Sequence, residues 1–136
     1  MTNPQRLATA AAAVLGLLML FQLLLALGLP LGRAAWGGQY DVLPTNLRLS
    51  SLAAVAILGL AAWVMLARAD LVRPGPKGRI IRWAAWGFAA YLALNTAGNL
   101  VSTSPIERAV MTPVTIFLAV SFVIVALSRS KSSSSS

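Results

Sequence analysis

At 136 residues the chain has the length of one domain, yet 58% of it is hydrophobic and only 10% charged, against roughly 45–50% and about 25% in ordinary globular chains. Eleven Lys and Arg against three Asp and Glu give +8, but charges this sparse cannot build a solvated basic face, so the composition describes an integral membrane protein with no nucleic acid partner. The absence of Cys and His removes disulfides, thiol chemistry, the commonest general base and the commonest metal ligand. Neither metal nor cofactor is expected, and no catalytic residue can be named.

A bilayer core of about 30 Å needs roughly 20 apolar helical residues. The first such segment, residues 7–29, is interrupted only by Thr9, Gly16, Gln22 and Gly28. It is longer than the roughly 7–15 residues of a signal-peptide core and no small-x-small cleavage site follows, so it reads as a retained helix. The loop after it, from Leu29 to Arg48, mixes Trp36, the Gly37-Gly38 pair, Pro30, Pro44 and charges of both signs. That composition predicts an ordered loop folded over the bundle mouth. Helix 2 is expected at about residues 46–68, with Thr45 as its cap. The Arg73-Pro74-Gly75-Pro76-Lys77-Gly78-Arg79 cluster breaks helix. Helix 3 follows at 80–99. Ser104-Pro105-Ile106-Glu107 has the form of a capping box with Pro at the first helical position, predicting a short interfacial helix that Thr112-Pro113 kinks or restarts as helix 4, residues 113–127. Residues 128–136 form a Ser-rich tail expected to be disordered.

The fold class expected is thus all-α, a four-transmembrane-helix bundle in a single membrane domain, residues 1–127. Basic residues set its direction. Arg6, Arg68, Arg73, Lys77, Arg79, Arg82, Arg129 and Lys131 fall on one side, and Arg33, Arg48 and Arg108 on the other, so both termini are expected in the cytoplasm. Arg73, Lys77, Arg79 and Arg82 would then face anionic lipid headgroups, at about 1 kcal/mol each near the surface. Trp83 and Trp86 suit an aromatic belt at that interface.

Helices in lipid associate through small residues and a few hydrogen bonds. Ala8, Ala12 and Gly16 on helix 1 and Ala85, Ala89 and Ala93 on helix 3 supply small faces, and helix 2, small almost all round, is expected at the centre. Tyr91, Asn95 and Asn99 recur every four residues on helix 3, with Ser102 beyond them, and Gln22 lies at a matching depth on helix 1. They predict an intramembrane polar seam or the lining of a small site.

The outer loops carry the candidate binding residues: Arg33, Trp36, Gln39, Asp41, Arg48, Glu107 and Arg108. Arg offers a planar fork to carboxylates, so a Glu107–Arg33 or Glu107–Arg48 contact is expected, tying the first outer loop to the start of helix 4.

The residues Pro30-Leu31-Gly32-Arg33-Ala34-Ala35-Trp36-Gly37-Gly38-Gln39, Val42-Leu43-Pro44, Leu47-Arg48, Glu107-Arg108 and Met111-Thr112-Pro113-Val114 give the chain its resemblance to a group of small uncharacterised bacterial four-helix membrane proteins. The resemblance spans nearly everything but the tail. It implies the four-helix architecture, a bacterial inner membrane and an emphasis on the outer face. The abundance of Ala and of Arg over Lys also suits a GC-rich bacterial genome. Function divides into a non-enzymatic accessory or structural protein binding lipid or a protein partner through its outer face; a small oligomeric transporter or channel for a neutral solute; and a lipid-modifying enzyme. The residue inventory disfavours the last. Ion-coupled transport is disfavoured by the lack of an ionisable residue at the centre of any span.

Overall fold

The computed structural model describes residues 2–72 and 78–128. These residues are all-helical: α1 (Asn3–Ala26), α2 (Thr45–Arg68), α3 (Gly78–Leu100) and α4 (Thr112–Leu127), with short 3-10 turns at Gly32–Ala34 and Trp36–Gly38 and a π turn at Glu107–Met111. Three helical segments, Asn3–Ala26, Thr45–Arg68 and Glu107–Leu127, are long and apolar enough to cross a membrane. The Pro-Gly cluster from Arg73 to Lys77 and the tail beyond Ser128 lie outside the described residues.

The helix limits follow from capping chemistry that hydropathy alone does not reveal. α1 starts four residues earlier than its apolar run, because the Thr2 hydroxyl accepts from the Gln5 N–H at 3.2 Å while the Gln5 side chain accepts from the Thr2 N–H at 3.1 Å, a reciprocal capping box. It ends three residues earlier than expected. Gly28 takes φ +95°, and the Leu29 and Gly28 N–H groups fold back onto the carbonyls of Leu24 and Leu25, a Schellman stop that only a left-handed residue closes. Arg48 Nε then donates to the freed Ala26 carbonyl at 2.8 Å, placing a cation at the negative end of the α1 dipole. Thr45 does not cap α2; it is the first helical residue, and Pro44 precedes it as N-cap.

The expected interfacial helix is absent as a separate element. Helical backbone runs from Pro105 without interruption into α4, through the π turn. Pro113 has no N–H to offer the preceding turn and its ring crowds that turn's carbonyl; the wider turn lets the helix continue past it. The capping box is only half formed. The Glu107 N–H donates to the Ser104 hydroxyl at 3.3 Å, but the Glu107 carboxylate goes elsewhere.

Two helical hairpins result, α1 packing chiefly on α2 and α3 on α4. α2 touches all three other helices, as expected of a central one, but it shares that place with α4, whose apolar stretch is the more buried of the two. The hairpins meet in the half of the bundle nearest the two termini. Leu15, Met65, Ile81, Leu118, Phe122 and Val125 are buried there around Ala8, Ala11, Ala61, Ala85, Ala89 and Ala126. On α1 the buried small residues are Ala8 and Ala11, not the Ala8-Ala12-Gly16 row; Gly16 is exposed. On α3, Ala85 and Ala89 are buried and Ala93 is not. Phe88 and Phe122 stack at 5.6 Å between ring centres.

Side chains bolt this end. Arg68 donates to the Ala126 carbonyl at 3.0 Å and to that of Ser128, and Gln5 Nε2 donates to Ala69 O at 3.0 Å. Arg79 and Arg82 open α3 on the surface, with Trp83 71% exposed beside them.

Candidate functional site: a capped cavity between the hairpins

Away from the termini the hairpins part, and amides, hydroxyls and a carboxylate stand among aliphatic and aromatic side chains on the facing surfaces. The gap is a cavity of about 180 Å³, lined by Phe21 and Gln22 of α1, Ala54 and Leu58 of α2, Tyr91, Asn95 and Asn99 of α3, and Glu107, Met111 and Thr115 near the start of α4, with Ala34, Ala35 and Trp36 from the loop above. Tyr91, Asn95, Asn99 and Glu107 also border an open groove of about 410 Å³ beside Leu94 and Gly98. The cavity is thus reached from the side, past the surface of α3. At the other end the apolar core closes it.

The four residues of the expected seam all line this cavity, but they do not bond one another across it. Asn95 Nδ2 donates to Tyr91 O on its own helix at 3.0 Å, and Asn99 Nδ2 to Thr115 Oγ1 at 3.3 Å. Gln22 Oε1 is buried without a partner. The polar stitch in this region joins α3 to α4 through residues the sequence reading passed over, with Thr96 Oγ1 donating to Thr115 Oγ1 at 2.8 Å.

The loop above is held in an unusual conformation. Trp36, Gly37 and Gly38 have φ of +51°, +82° and +71°, a left-handed run in which a tryptophan costs on the order of 1–3 kcal/mol. Contacts to all sides hold it there. Trp36 Nε1 donates to Ser51 Oγ of α2 at 3.0 Å, the Gly37 N–H donates to Glu107 Oε2 at 3.1 Å, and Ser104 Oγ donates to the Arg33 carbonyl. Gly38 lies so close to Ser104 that a Cβ on it would fall 2.4 Å from the Ser104 Cβ. The cap is therefore shared between the hairpins: its indole is anchored to the first and its backbone to the second.

The expected Glu107–Arg33 and Glu107–Arg48 contacts are not made. Arg33 pairs with Asp41 at 2.6 Å, with both side chains more than 60% exposed, and Arg48 is taken by the α1 terminus. Glu107, only 9% exposed, accepts instead from Ser102 Oγ at 2.5 Å and from the Gly37 N–H, both through Oε2. One backbone N–H of the left-handed turn and one hydroxyl thus serve a single carboxylate oxygen, and among the described residues no cation pairs with it. Gln39 and Arg108 are exposed and line neither opening. Ser51, Ser102 and Thr115 carry the site's hydrogen bonds; of these only Ser102 stood out in the sequence, by its spacing from Asn99.

Exposed ion pairs contribute about 0–1 kcal/mol. Arg33→Ala is accordingly expected to lower stability in detergent by less than about 1 kcal/mol and to leave labelling of the cavity unchanged. A larger loss would show that the Arg33–Asp41 pair holds the cap.

No protein-family model matches the chain, and neither the curated proteins nor the solved structures contain a significant match to it.

Proposed function

We propose that this is a bacterial inner-membrane protein in which all four helices cross the bilayer, with both termini cytoplasmic and the capped cavity in the outer half of the membrane. It acts as a non-enzymatic accessory protein that binds a small ligand or lipid headgroup through its outer face, while Arg73, Lys77, Arg79 and Arg82 engage anionic headgroups on the inner side. The observation that carries this reading is the set of polar groups placed in a largely apolar cavity: intramembrane polar groups are costly unless they serve one another or a ligand, and Gln22 Oε1 serves neither within the chain. Glu107 is the one carboxylate lining the cavity, and the chain contains neither His nor Cys, so the chemistry available is recognition, not covalent catalysis.

The test uses the protein's freedom from Cys. Single cysteines at Asn95 and Asn99 are expected to react with a membrane-impermeant maleimide added to intact cells, more slowly than a cysteine at exposed Tyr40, while a cysteine at Ser128 reacts only after the inner side is opened. Full protection of positions 95 and 99 in folded protein removes the cavity; labelling of Ser128 from outside inverts the topology.

One observation favours a second reading, an oligomeric channel for a neutral solute. Tyr91 and Asn95 present polar groups on the open surface of α3, a face that a second copy would cover. Each chain's apolar core blocks its own cavity, so the path would run between copies. A stable oligomer passing glycerol into liposomes supports this reading; a monomer does not.

A further inference from the structure

Resting on the binding-cavity reading above, we infer that the ligand is an organic cation: an ammonium group on an apolar chain. Three nitrogen donors at the cavity are engaged within the protein, Trp36 Nε1 on Ser51, Asn95 Nδ2 on Tyr91 O and Asn99 Nδ2 on Thr115, while the Tyr91 hydroxyl and Gln22 Nε2 make no hydrogen bond among the described residues. Acceptors are free as well. Gln22 Oε1 is buried and unpartnered, and no hydrogen bond among the described residues reaches Asn95 Oδ1, Asn99 Oδ1 or Glu107 Oε1. The buried Gln22 oxygen and the second Glu107 oxygen are the two acceptors that a donating or positively charged group would serve.

Charge points the same way. Eleven basic side chains are present in the chain, yet among the described residues none pairs with Glu107, and the two basic groups nearest to it in expectation, Arg33 and Arg48, are committed elsewhere. A nearly buried carboxylate whose partners are a hydroxyl and an amide still gains from a cation. Around it stand Trp36, Tyr91 and Phe21, aromatic faces of the kind that attract ammonium groups.

Size and access fix the rest. About 150 Å³ accommodates a benzene-sized ligand, so 180 Å³ holds an ammonium head with the first carbons of its chain but not a long chain. The side groove past Tyr91 and Leu94 gives the chain a route out toward lipid. A membrane lipid's amine headgroup and a soluble alkylammonium share this chemistry.

The experiment reads Trp36 fluorescence in full-length protein in dodecyl maltoside, with Trp63, Trp83 and Trp86 replaced by Phe. Titrants are hexylammonium, hexanol and hexanoate, with phosphatidylethanolamine and phosphatidylglycerol in mixed micelles to separate lipid from soluble sources. The cation is expected to bind at least tenfold more tightly than hexanol, with no response to hexanoate. Glu107→Gln should remove that tenfold advantage. Should that variant fail to fold, Gln22→Leu is expected to weaken the cation several-fold more than the alcohol. A response to phosphatidylethanolamine but not to phosphatidylglycerol assigns the lipid source. Equal binding of hexanol and hexylammonium overturns the cation assignment while keeping the cavity. Silence toward every titrant overturns the cation assignment as well, and protection of a cysteine at position 95 then removes the cavity with it.

Discussion

Gly38→Ala is expected to destabilise the protein by about 3 kcal/mol or more and to speed labelling of a cysteine at Asn95, while Gly37→Ala, one residue away, costs only about 1–2. Both glycines have left-handed φ, and a Cβ in that region is worth roughly 1–2 kcal/mol of penalty wherever it occurs. The difference is in what the added carbon meets. At Gly37 there is nothing within 4 Å, whereas at Gly38 the carbon would sit 2.4 Å from the Ser104 Cβ and 2.9 Å from the Arg33 carbonyl oxygen. Relieving that overlap means separating the cap from the second hairpin, an overpacking cost of about 1–3 kcal/mol on top of the backbone term. Denaturant unfolding in detergent and maleimide rates measure the two effects separately. Equal losses at the two glycines would mean that the cap yields freely and does not clasp the hairpins.

Glu107→Ala tests the same clasp from the other side. It removes the acceptor of the Ser102 hydroxyl and of the Gly37 N–H. Hydrogen bonds to charged groups contribute roughly 1.5–3 kcal/mol each, so a loss of about 3 kcal/mol or more is expected. Glu107→Gln, which keeps an acceptor oxygen, should lose less than half as much. Exchanging charges through Glu107→Arg with Arg33→Glu should recover nothing, since the arginine is committed to Asp41. Recovery in that double variant would establish an ion pair between Arg33 and Glu107 in the membrane.

What could be read from the sequence divides along the range of the forces involved. Hydropathy and the Pro-Gly break placed the helices, since both are local to the chain. The spacing of Tyr91, Asn95 and Asn99 put them on one face, and the depth of Gln22 matched them, so these four could be grouped from the sequence, while the apolar remainder of the cavity wall could not. The partners of the charges were not. Coulombic preference favours Arg33 for Glu107, but competition is settled by geometry: Asp41 is eight residues from Arg33 along the chain and in direct reach of it, and the α1 terminus offers Arg48 an uncapped carbonyl. The stop at Gly28 was equally hidden. A glycine within an apolar run looks like one more small residue until its φ is known.

The π turn ahead of α4 has a consequence for where chemistry can be placed. An α-helix advances about 100° per residue, and a π turn is commonly one residue inserted into such a helix. The insertion sets the angular phase of everything before it against everything after. Thr115 and Phe122 stay where α4 packs on α3, while Glu107 and Ser104 are rotated to meet the cap. Deleting Ala109 would restore an uninterrupted α-helical count and swing Glu107 by about 100° away from Gly37, changing no side chain at the site. A single inserted residue thus lets the second hairpin present one face to the core and another to the cap, as a cam sets two offsets on one shaft.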